Sequence, residues 1–412
     1  MKKYERQARF SVLRSSDIFR IMSLVFINSM TDTFTPTNSF STATWVWELC
    51  QCAMREGTEP WVISSDSFQS SYDWKKLILI SQPYKPASWL GRKLDNQFRH
   101  RFGWVHPGQA AWIARVIRSI KYHKLEHHPL ILSNDIELAI MLRKSFPDAR
   151  IIHHAHNENG TKERFRSLFK PAVTVASAVS DCTRVWNEQY YGFARGEMET
   201  ILNGVDLGRF FPAEKTAEAV PIVNFHSRLD RNKGVDVLLR AAIKTARVNH
   251  VFAVKLVGRK FNWQAPADDY DREVESLCEQ LQRLGVRMER TGWIDRGGLP
   301  EVLRQAQVNV VSSRWAEPSA LALYEGLATG LATVASNVGG NAQVIGDGGQ
   351  LFDNENTDQL AAILLHLIGD PSVRAEWGKR ARERAERLTW AQTWRRFREL
   401  AGVEANEPAV CQ

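Results

Sequence analysis

The segment from Val308 to Gly340 restricts the fold more than any other part of the chain. In order, it contains an apolar run "VNVV", a polar loop, a helical stretch "LALYEGLA", a second apolar run "ATVAS" and a glycine turn. Two short apolar runs joined by a helix are typical of neighbouring strands in a parallel sheet, where a crossover helix links them. The segment therefore predicts a strand–helix–strand unit of an α/β fold.

Two glutamates in this segment form a candidate binding site. Glu317 lies in the loop and Glu325 in the helix, with seven residues between them. Backbone N–H groups at the start of a helix lack intrahelical partners and suit a phosphate. Ionised carboxylates accept hydrogen bonds from the hydroxyls of a sugar or ribose. Together these groups suit a nucleotide sugar; the alternative is two solvated glutamates at a helix start, where acidic residues are favourable anyway.

The same alternation of apolar runs and amphipathic helices extends over both halves of the 412-residue chain. It predicts an α/β fold with two doubly wound, Rossmann-like domains that face a cleft. The segment Gly204–Pro221 has no steady period and is predicted to be a linker. We therefore place an N-terminal domain at 1–205, a C-terminal domain at 206–390, and a helix at 391–412 that crosses back to the N-terminal domain.

The individual elements follow from the same patterns. Predicted strands lie at Ile21–Ile27, Trp61–Ser64, Leu77–Ser81, Leu130–Leu132, Ala149–His154, Ala172–Ser177, Glu199–Asn203, Ile222–His226, Phe252–Val257, Arg287–Thr291, Val308–Ser312 and Ala332–Ser336. Predicted helices lie at Ala43–Arg55, Pro107–Lys124, Ile136–Ser145, Val235–Arg247, Asp271–Leu284, Leu299–Gln305 and Leu321–Ala328, and the chain after Thr357 is predicted to be helical.

A second candidate site lies in "FHSRLDRNKGVDVLL". Arg228 follows a predicted strand and Lys233 precedes a predicted helix, so both cations can reach one diphosphate. Gly234 then lets the chain turn into the helix. The alternative is a solvated basic loop.

Three histidines in "RIIHHAHNENG" follow a strand of the first half. A metal site would need further ligands at suitable spacing, and only Glu158 is near, so no metal is expected. A neutral histidine can instead bond a sugar hydroxyl or a carbonyl. We choose His156, because Asn157 and Gly160 predict a turn there; a structural role is the alternative for His153 and His154.

Charge divides the chain unevenly. Residues 1–200 carry 27 Lys and Arg against 19 Asp and Glu, and the remainder carries 27 of each, so the first half holds the whole net charge of +8. The five cysteines are scattered, which favours reduced thiols in a cytoplasmic protein. The sequence has no apolar run of about 18 residues and its basic start lacks the apolar core of a signal peptide, so neither a membrane span nor a leader is expected.

The second half resembles the retaining nucleotide-sugar glycosyltransferases of family 4, which have the two-domain GT-B fold. The pieces that carry the resemblance are "ILNGVDLGRFFP", "SRLDRNKGVDVLLRA" and "AEPSALALYEGLATGLATVASNVGGNAQVI", in this order between Ile201 and Ile345. In the first half the resemblance is confined mainly to "IIHHAHN" and "VTVASAVSD". It implies that the N-terminal domain binds the acceptor and the C-terminal domain binds the nucleotide sugar.

The resemblance also implies roles for individual residues. It places Arg228 and Lys233 on the donor diphosphate, Glu325 on the ribose, and Glu317 on hydroxyls of the transferred sugar. His156 would reach the donor sugar from the opposite domain. The backbone around the transferred sugar and phosphate would come from Ser319, Ala320, Leu321 and Ala322, and Gly258 would border the base pocket together with Thr291–Trp293. The implied reaction is retaining hexosyl transfer with no metal and no cofactor beyond the nucleoside-diphosphate sugar itself.

Some positions depart from the family pattern. Ser227 stands in place of a common Gly, Ser319 and Ala320 in place of Phe-Gly, and Gln343 in place of a common Glu. Asn38 and Ser39 occupy the loop where the family often has a Gly pair. Two other functions therefore stay open: a nucleotide-sugar 2-epimerase on the same fold, and a non-catalytic glycosyltransferase-like subunit.

The acceptor side is expected in the basic first half. The segment Ser88–Trp104 mixes Arg and Lys with Trp and Phe, a composition that favours docking on an anionic membrane. A glycan or lipid-diphosphate-linked acceptor would fit, as in the biosynthesis of cell-envelope polysaccharide, exopolysaccharide or lipopolysaccharide. We predict a cytoplasmic enzyme that is peripheral at the inner face of the membrane. No stacking-platform motif accompanies the basic residues, so no nucleic-acid partner is expected.

Overall fold

The computed structural model describes residues 23–36, 41–66, 71–81, 108–213, 220–260 and 266–403. Within these ranges the chain forms two parallel sheets, each flanked by helices. The predicted α/β class with two Rossmann-like domains is therefore confirmed. The segment Ser88–Trp104, the loop residues Asn38 and Ser39, and the termini 1–22 and 404–412 lie outside the described residues.

The first sheet belongs to the N-terminal domain, and its described strands run parallel in the order β3-β2-β1-β4-β5-β6-β7. These strands are β1 Val25–Ile27, β2 Trp61–Ser65, β3 Leu77–Ile80, β4 Leu130–Ser133, β5 Ile151–Ala155, β6 Val175–Ala178 and β7 Glu199–Thr200. The helices between them are α1 Ser41–Arg55, α2 Gln109–Tyr122, α3 Ile136–Ser145, α4 Glu163–Ala172 and α5 Asp181–Tyr191. The central strands are buried on both faces, which explains why they are continuous apolar runs.

The second sheet repeats this plan in the C-terminal domain, with the order β10-β9-β8-β11-β12-β13. Its strands are β8 Ile222–His226, β9 Ala253–Val257, β10 Arg287–Gly292, β11 Val308–Val311, β12 Ala332–Ser336 and β13 Gly349–Phe352. Its helices are α6 Val235–Ala246, α7 Asp269–Arg283, α8 Leu299–Arg304, α9 Leu321–Ala328, α10 Asn341–Ile345, α11 Thr357–Gly369 and α12 Pro371–Ala385. Strands β8 and β11 lie side by side although they are far apart in sequence, so the strand order reverses there, a usual place for a ligand crevice.

The last helix, α13 Trp390–Ala401, packs on the first domain. Trp394 and Phe397 are fully buried beside Trp45 and Leu49 of α1. The chain passes between the domains at Val205, whose N–H donates to the carbonyl of Leu388. A Cβ on Gly204 would lie 2.2 Å from the backbone nitrogen of Trp390. The two chain segments that cross here therefore approach so closely that glycine is needed at position 204.

Four elements of the described chain were not predicted: helices α4, α5 and α10, and the edge strand β13. Several predicted ends were also wrong by a few residues, most clearly for β7, which stops at Thr200 rather than Asn203. In the described part of the chain no helix has the length and apolarity needed to cross a membrane.

Candidate active site

An open cavity of about 300 Å³ lies at the carboxyl ends of the second sheet and faces the start of α1 in the first domain. This is where the loops after β8, β9, β10 and β11 converge. Ser41 and Thr44 of α1 line the side that belongs to the first domain. The second domain supplies nine of the ten predicted site residues: Arg228, Lys233, Gly258, Glu317, Ser319, Ala320, Leu321, Ala322 and Glu325.

Glu317 is a buried carboxylate that is fixed by donors of its own loop and by one lysine. Its Oε2 accepts hydrogen bonds from Ser313 Oγ at 2.8 Å and from Trp315 Nε1 at 2.9 Å. Lys233 Nζ lies 2.5 Å from the same oxygen and forms an ion pair with it. The pair brings together two residues that are 84 positions apart, each predicted separately from its own motif.

The glycine turn after β12 contacts the backbone of the loop that carries Glu317. The N–H of Gly340 donates to the carbonyl of Glu317 at 2.7 Å. Gly339 has φ near 53°, and a Cβ there would lie 2.3 Å from the same carbonyl oxygen. Glycine is required at this close approach, so the "VGG" turn of the sequence positions Glu317.

The loop between β8 and α6 positions Lys233 and Arg228. Asp230 Oδ1 accepts from the N–H of Lys233 at 3.1 Å, and Gly234 takes φ near 65° so that the chain can enter α6. A Cβ on Gly234 would meet the carbonyl of Ser312 at 2.0 Å. Arg228 Nε lies 3.3 Å from Asp230 Oδ2, and its side chain is 45% exposed toward the cavity side of the loop. Two cations therefore line one end of the cavity, as the motif predicts.

Glu325 is the second buried carboxylate, and two cationic or donor groups hold it. His226 Nε2 lies 3.2 Å from Oε2, and Arg296 Nη2 lies 3.0 Å from Oε1. Asn224 Nδ2 donates to His226 Nδ1 at 2.9 Å, which leaves the proton on Nε2, directed at the carboxylate. Burial raises the pKa of Glu325, but the charge of Arg296 and the hydrogen bond from His226 outweigh it and hold the pKa below its ordinary value. Glu325 is therefore an ionised acceptor.

Sequence reasoning gave no role to His226 or Arg296. Both follow the rule that ligand-facing side chains lie at the carboxyl ends of parallel strands, because His226 ends β8 and Arg296 follows β10. The signal for Arg296 was present in the turn "GWIDRGG". Arg259 and Trp293 also line the cavity, and the Arg259 guanidinium lies 5.6 Å from the centre of the Trp293 ring.

The residues from Ser319 to Ala322 form the start of α9. Ala320 is the N-cap residue and has no side-chain hydrogen bond to the helix, so the first N–H groups of α9 lack a cap. Ser319 Oγ is instead shared with Tyr324 OH at 2.8 Å and with Asn203 Nδ2 at 3.3 Å. These contacts fix the loop that brings the helix start to the cavity.

Gly258 borders the cavity after β9 and has φ near 131°. A Cβ there would lie 2.0 Å from the carbonyl of Ser227, the residue before Arg228. Glycine at this position lets the two loops touch.

His156, the tenth predicted residue, does not line this cavity. It is buried, its backbone N–H donates to Asn134 Oδ1 at 2.7 Å, and its ring packs edge-on against Trp45 at 5.0 Å. Burial lowers the pKa of His156 to about 3, so the imidazole is neutral. From the first domain, Ser41 and Thr44 border the cavity instead.

Among the described residues there is no group of three or more His, Cys, Asp or Glu side chains that could hold a metal ion. His153 and His154 are fully buried next to Phe169 and Trp45, respectively. This packing is the structural role that the sequence left open for these two histidines.

Comparison with known proteins places these features in a family. The family model described as "Glycosyl transferases group 1" matches residues 209–384. D-inositol 3-phosphate glycosyltransferase 2 of Catenulispora acidiphila is 31% identical over 313 residues, which cover 71% of this chain and 67% of that protein. Spore coat protein SA of Bacillus subtilis is 27% identical over 60% of this chain and 70% of its own length. Phosphatidyl-myo-inositol mannosyltransferase of Mycolicibacterium smegmatis is 27% identical, and the match spans 66% of its length.

Solved structures share the whole two-domain arrangement. Sucrose-phosphate synthase of Thermosynechococcus elongatus superposes with a TM-score of 0.70 at 20% identity, covering 92% of this chain and 98% of that one. HepE of Anabaena, solved with UDP and glucose, gives a TM-score of 0.67 at 16% identity over 93% of this chain and 100% of its own. At these identities the likeness concerns the fold.

Proposed function

The chain belongs to the glycosyl transferases group 1 family with the GT-B fold, and from this premise we propose that it moves a sugar from a nucleoside-diphosphate sugar to a glycan or lipid-linked acceptor. One observation carries the proposal. A single cavity combines cations that include Lys233 and Arg228, the uncapped start of α9, and the buried carboxylates of Glu317 and Glu325. Cations and free N–H groups suit a diphosphate, and carboxylates suit the hydroxyls of ribose and sugar.

The charge distribution supports an orientation for the donor. The diphosphate lies between Lys233, Arg228 and the start of α9, where positive charge is concentrated. Glu325 keeps acceptor capacity beyond its bonds to His226 and Arg296, since a carboxylate offers about four lone-pair sites. The ribose hydroxyls bind there, and the hydroxyls of the transferred sugar bind Glu317.

In the proposed reaction the anomeric configuration is retained. The glycosidic C–O bond to the diphosphate breaks, the sugar becomes oxocarbenium-like, and an acceptor hydroxyl attacks on the face that the nucleotide leaves. The hydroxyl proton passes to the departing phosphate oxygen. The two cations and the backbone N–H groups lower the barrier because they stabilise the charge that develops on the diphosphate. In this proposal Lys233 and Arg228 neutralise the diphosphate, so no divalent cation is required.

We place the reaction in the biosynthesis of a cell-envelope polysaccharide, exopolysaccharide or lipopolysaccharide, at the cytoplasmic side of a membrane. The positive balance of residues 1–200 supports an approach to an anionic bilayer. The similarity to phosphatidyl-myo-inositol mannosyltransferase and to spore coat protein SA supports an envelope setting.

Thermal stabilisation by nucleotide sugars tests the donor site. A ligand that binds only the folded protein raises its melting temperature by mass action. We expect one member of a panel of UDP-, GDP- and ADP-sugars to stabilise the wild-type protein, with an effect that rises with ligand concentration. Adding EDTA is expected to leave the shift unchanged. If no nucleotide sugar raises the melting temperature, the proposed donor site is contradicted. If EDTA abolishes the rise, the proposed independence of metal is contradicted.

A further inference from the structure

A second cavity of about 370 Å³ lies at the carboxyl ends of the first sheet. It is formed by the loops after β1, β4 and β5 and by the start of α3. Ser41, the first residue of α1, lines this cavity and also the donor cavity. The two cavities therefore share a lining residue at the start of α1.

The polar side chains that line this cavity are either acidic or uncharged. Four carboxylates face it, from Asp32, Asp135, Glu137 and Glu158, and the other polar groups are amides and hydroxyls. Among the described residues that line it there is no Lys, Arg or His. This local charge is opposite to that of the first half as a whole, which is basic.

Three of these carboxylates are held in place by hydrogen bonds and are less than a tenth exposed. Thr42 Oγ1 donates to Asp32 Oδ2 at 2.8 Å, and Thr161 Oγ1 donates to Glu137 Oε1 at 2.6 Å. Asp135 is the N-cap of α3 and accepts from the N–H of Leu138 at 2.9 Å. Such fixed acceptors bind hydroxyl groups well, because the acceptors lose little freedom on binding.

Burial raises the pKa of Asp135 to about 7. Near neutral pH this carboxyl group is present in both forms, so it can donate a hydrogen bond to a hydroxyl as well as accept one. A phosphate monoester, in contrast, is an anion with acceptor oxygens and would face acidic side chains, with no cation among the described lining residues.

We infer that this cavity binds the acceptor and that the reacting end of the acceptor is a polyhydroxylated ring without a phosphate. The inference rests on the proposed transferase function and adds the acceptor's chemical class. A lipid-diphosphate carrier would have to keep its phosphates outside this cavity. The chain thus differs from a relative that is named for D-inositol 3-phosphate as substrate.

The test compares matched pairs of small acceptors by ligand-observed NMR with the nucleotide-bound protein. The pairs are myo-inositol with D-inositol 3-phosphate, and octyl hexosides with their 6-phosphates. We expect the unphosphorylated member of at least one pair to bind at least about tenfold more tightly than its phosphate. Binding of the donor nucleotide is measured in the same samples, so failure of the donor site is seen separately.

A charge-reversal variant locates the effect. Glu158 is exposed at the rim of this cavity, so Glu158→Arg is expected to fold. We expect it to reduce the ratio of the two affinities within a pair by about threefold or more. Glu163→Arg makes the same charge change on an exposed residue that does not line the cavity, and it is expected to leave the ratio of the two affinities unchanged. The inference is overturned if the phosphorylated members bind as tightly as their partners, if no pair binds while the nucleotide does, or if both variants act alike.

Discussion

Lys233→Ala is expected to lower kcat/KM for sugar transfer by about 100-fold or more, the effect typical of removing one preorganised charge from a developing anion. Lys233 Nζ is paired with Glu317 and lies 5.4 Å from the centre of the Trp315 ring, so it is fixed before the donor binds. In the variant Glu317 keeps the hydrogen bonds from Ser313 and Trp315, and the fold is expected to persist. Steady-state kinetics with the stabilising nucleotide sugar measure the effect.

Lys244→Ala is the matched control for this variant. Lys244 is in the same domain and forms a surface pair with Asp358 at 2.7 Å, outside the donor cavity. Its loss should change kcat/KM by less than about twofold, since exposed pairs contribute little. Equal activity of Lys233→Ala and Lys244→Ala would remove Lys233 from the proposed mechanism.

Glu325→Ala is expected to destabilise the second domain as well as abolish donor binding. It leaves His226 and Arg296 without the carboxylate that they share. Breaking a buried pair costs about 3–5 kcal/mol; because Arg296 is 22% exposed, we expect about 3 kcal/mol, a fall in Tm of about 6–12 °C. The nucleotide-dependent rise in Tm should also disappear. Thermal denaturation with and without nucleotide sugar measures both effects.

Two further variants separate charge from folding. Glu325→Gln keeps the shape and an acceptor oxygen, so it is expected to cost less stability than Glu325→Ala while still weakening donor binding. Glu301→Ala removes an exposed glutamate that pairs with Arg304 on α8, and its Tm should shift by less than about 2 °C. A Glu325→Ala protein with wild-type Tm and wild-type nucleotide binding would refute the role of this carboxylate.

The sequence predicted the fold class because the central strands are buried on both faces and are therefore uninterrupted apolar runs. The elements that it missed lack this signal. Helix α4 is short, buries only Phe165, Phe169 and Ala172 among charged residues, and contains Pro171, a residue that argues against a helix there. Strand β13 is an edge strand that begins with Gly349 and is mostly half-buried, which removes both the apolar run and the alternation.

The donor cavity was largely predictable because each of its motifs is local: a strand end, a loop and a helix start. The partners of those motifs were not, since they depend on strand order. His226 and Glu325 are 99 residues apart, and they meet only because β8 and β11 are neighbours in the sheet. His156 lies at the expected strand end but is turned into the packing with Trp45, a contact made by α1 that no local pattern contains.

Net charge was a poor guide to the first-domain cavity. The excess of Lys and Arg over residues 1–200 predicted an anionic partner, but the lining of this cavity is acidic. A sum over 200 residues describes the long-range field of a domain, whereas a site is set by the few side chains at the carboxyl ends of its strands. A basic domain with an acidic cavity is consistent with basic residues that face a membrane and a cavity that binds a sugar.

Product analysis of the nucleotide sugar that stabilises the protein is the most direct test of the proposed sugar transfer. Proton NMR of the reaction, with and without acceptor, follows the anomeric signal of the sugar and the release of nucleoside diphosphate. We expect nucleoside diphosphate to be released and the sugar to appear on the acceptor with the anomeric configuration of the donor. An isomerised nucleotide sugar without release of nucleoside diphosphate would identify a 2-epimerase. Bound nucleotide sugar that stays unchanged with every acceptor would identify a non-catalytic protein. Either result would contradict the proposed sugar transfer.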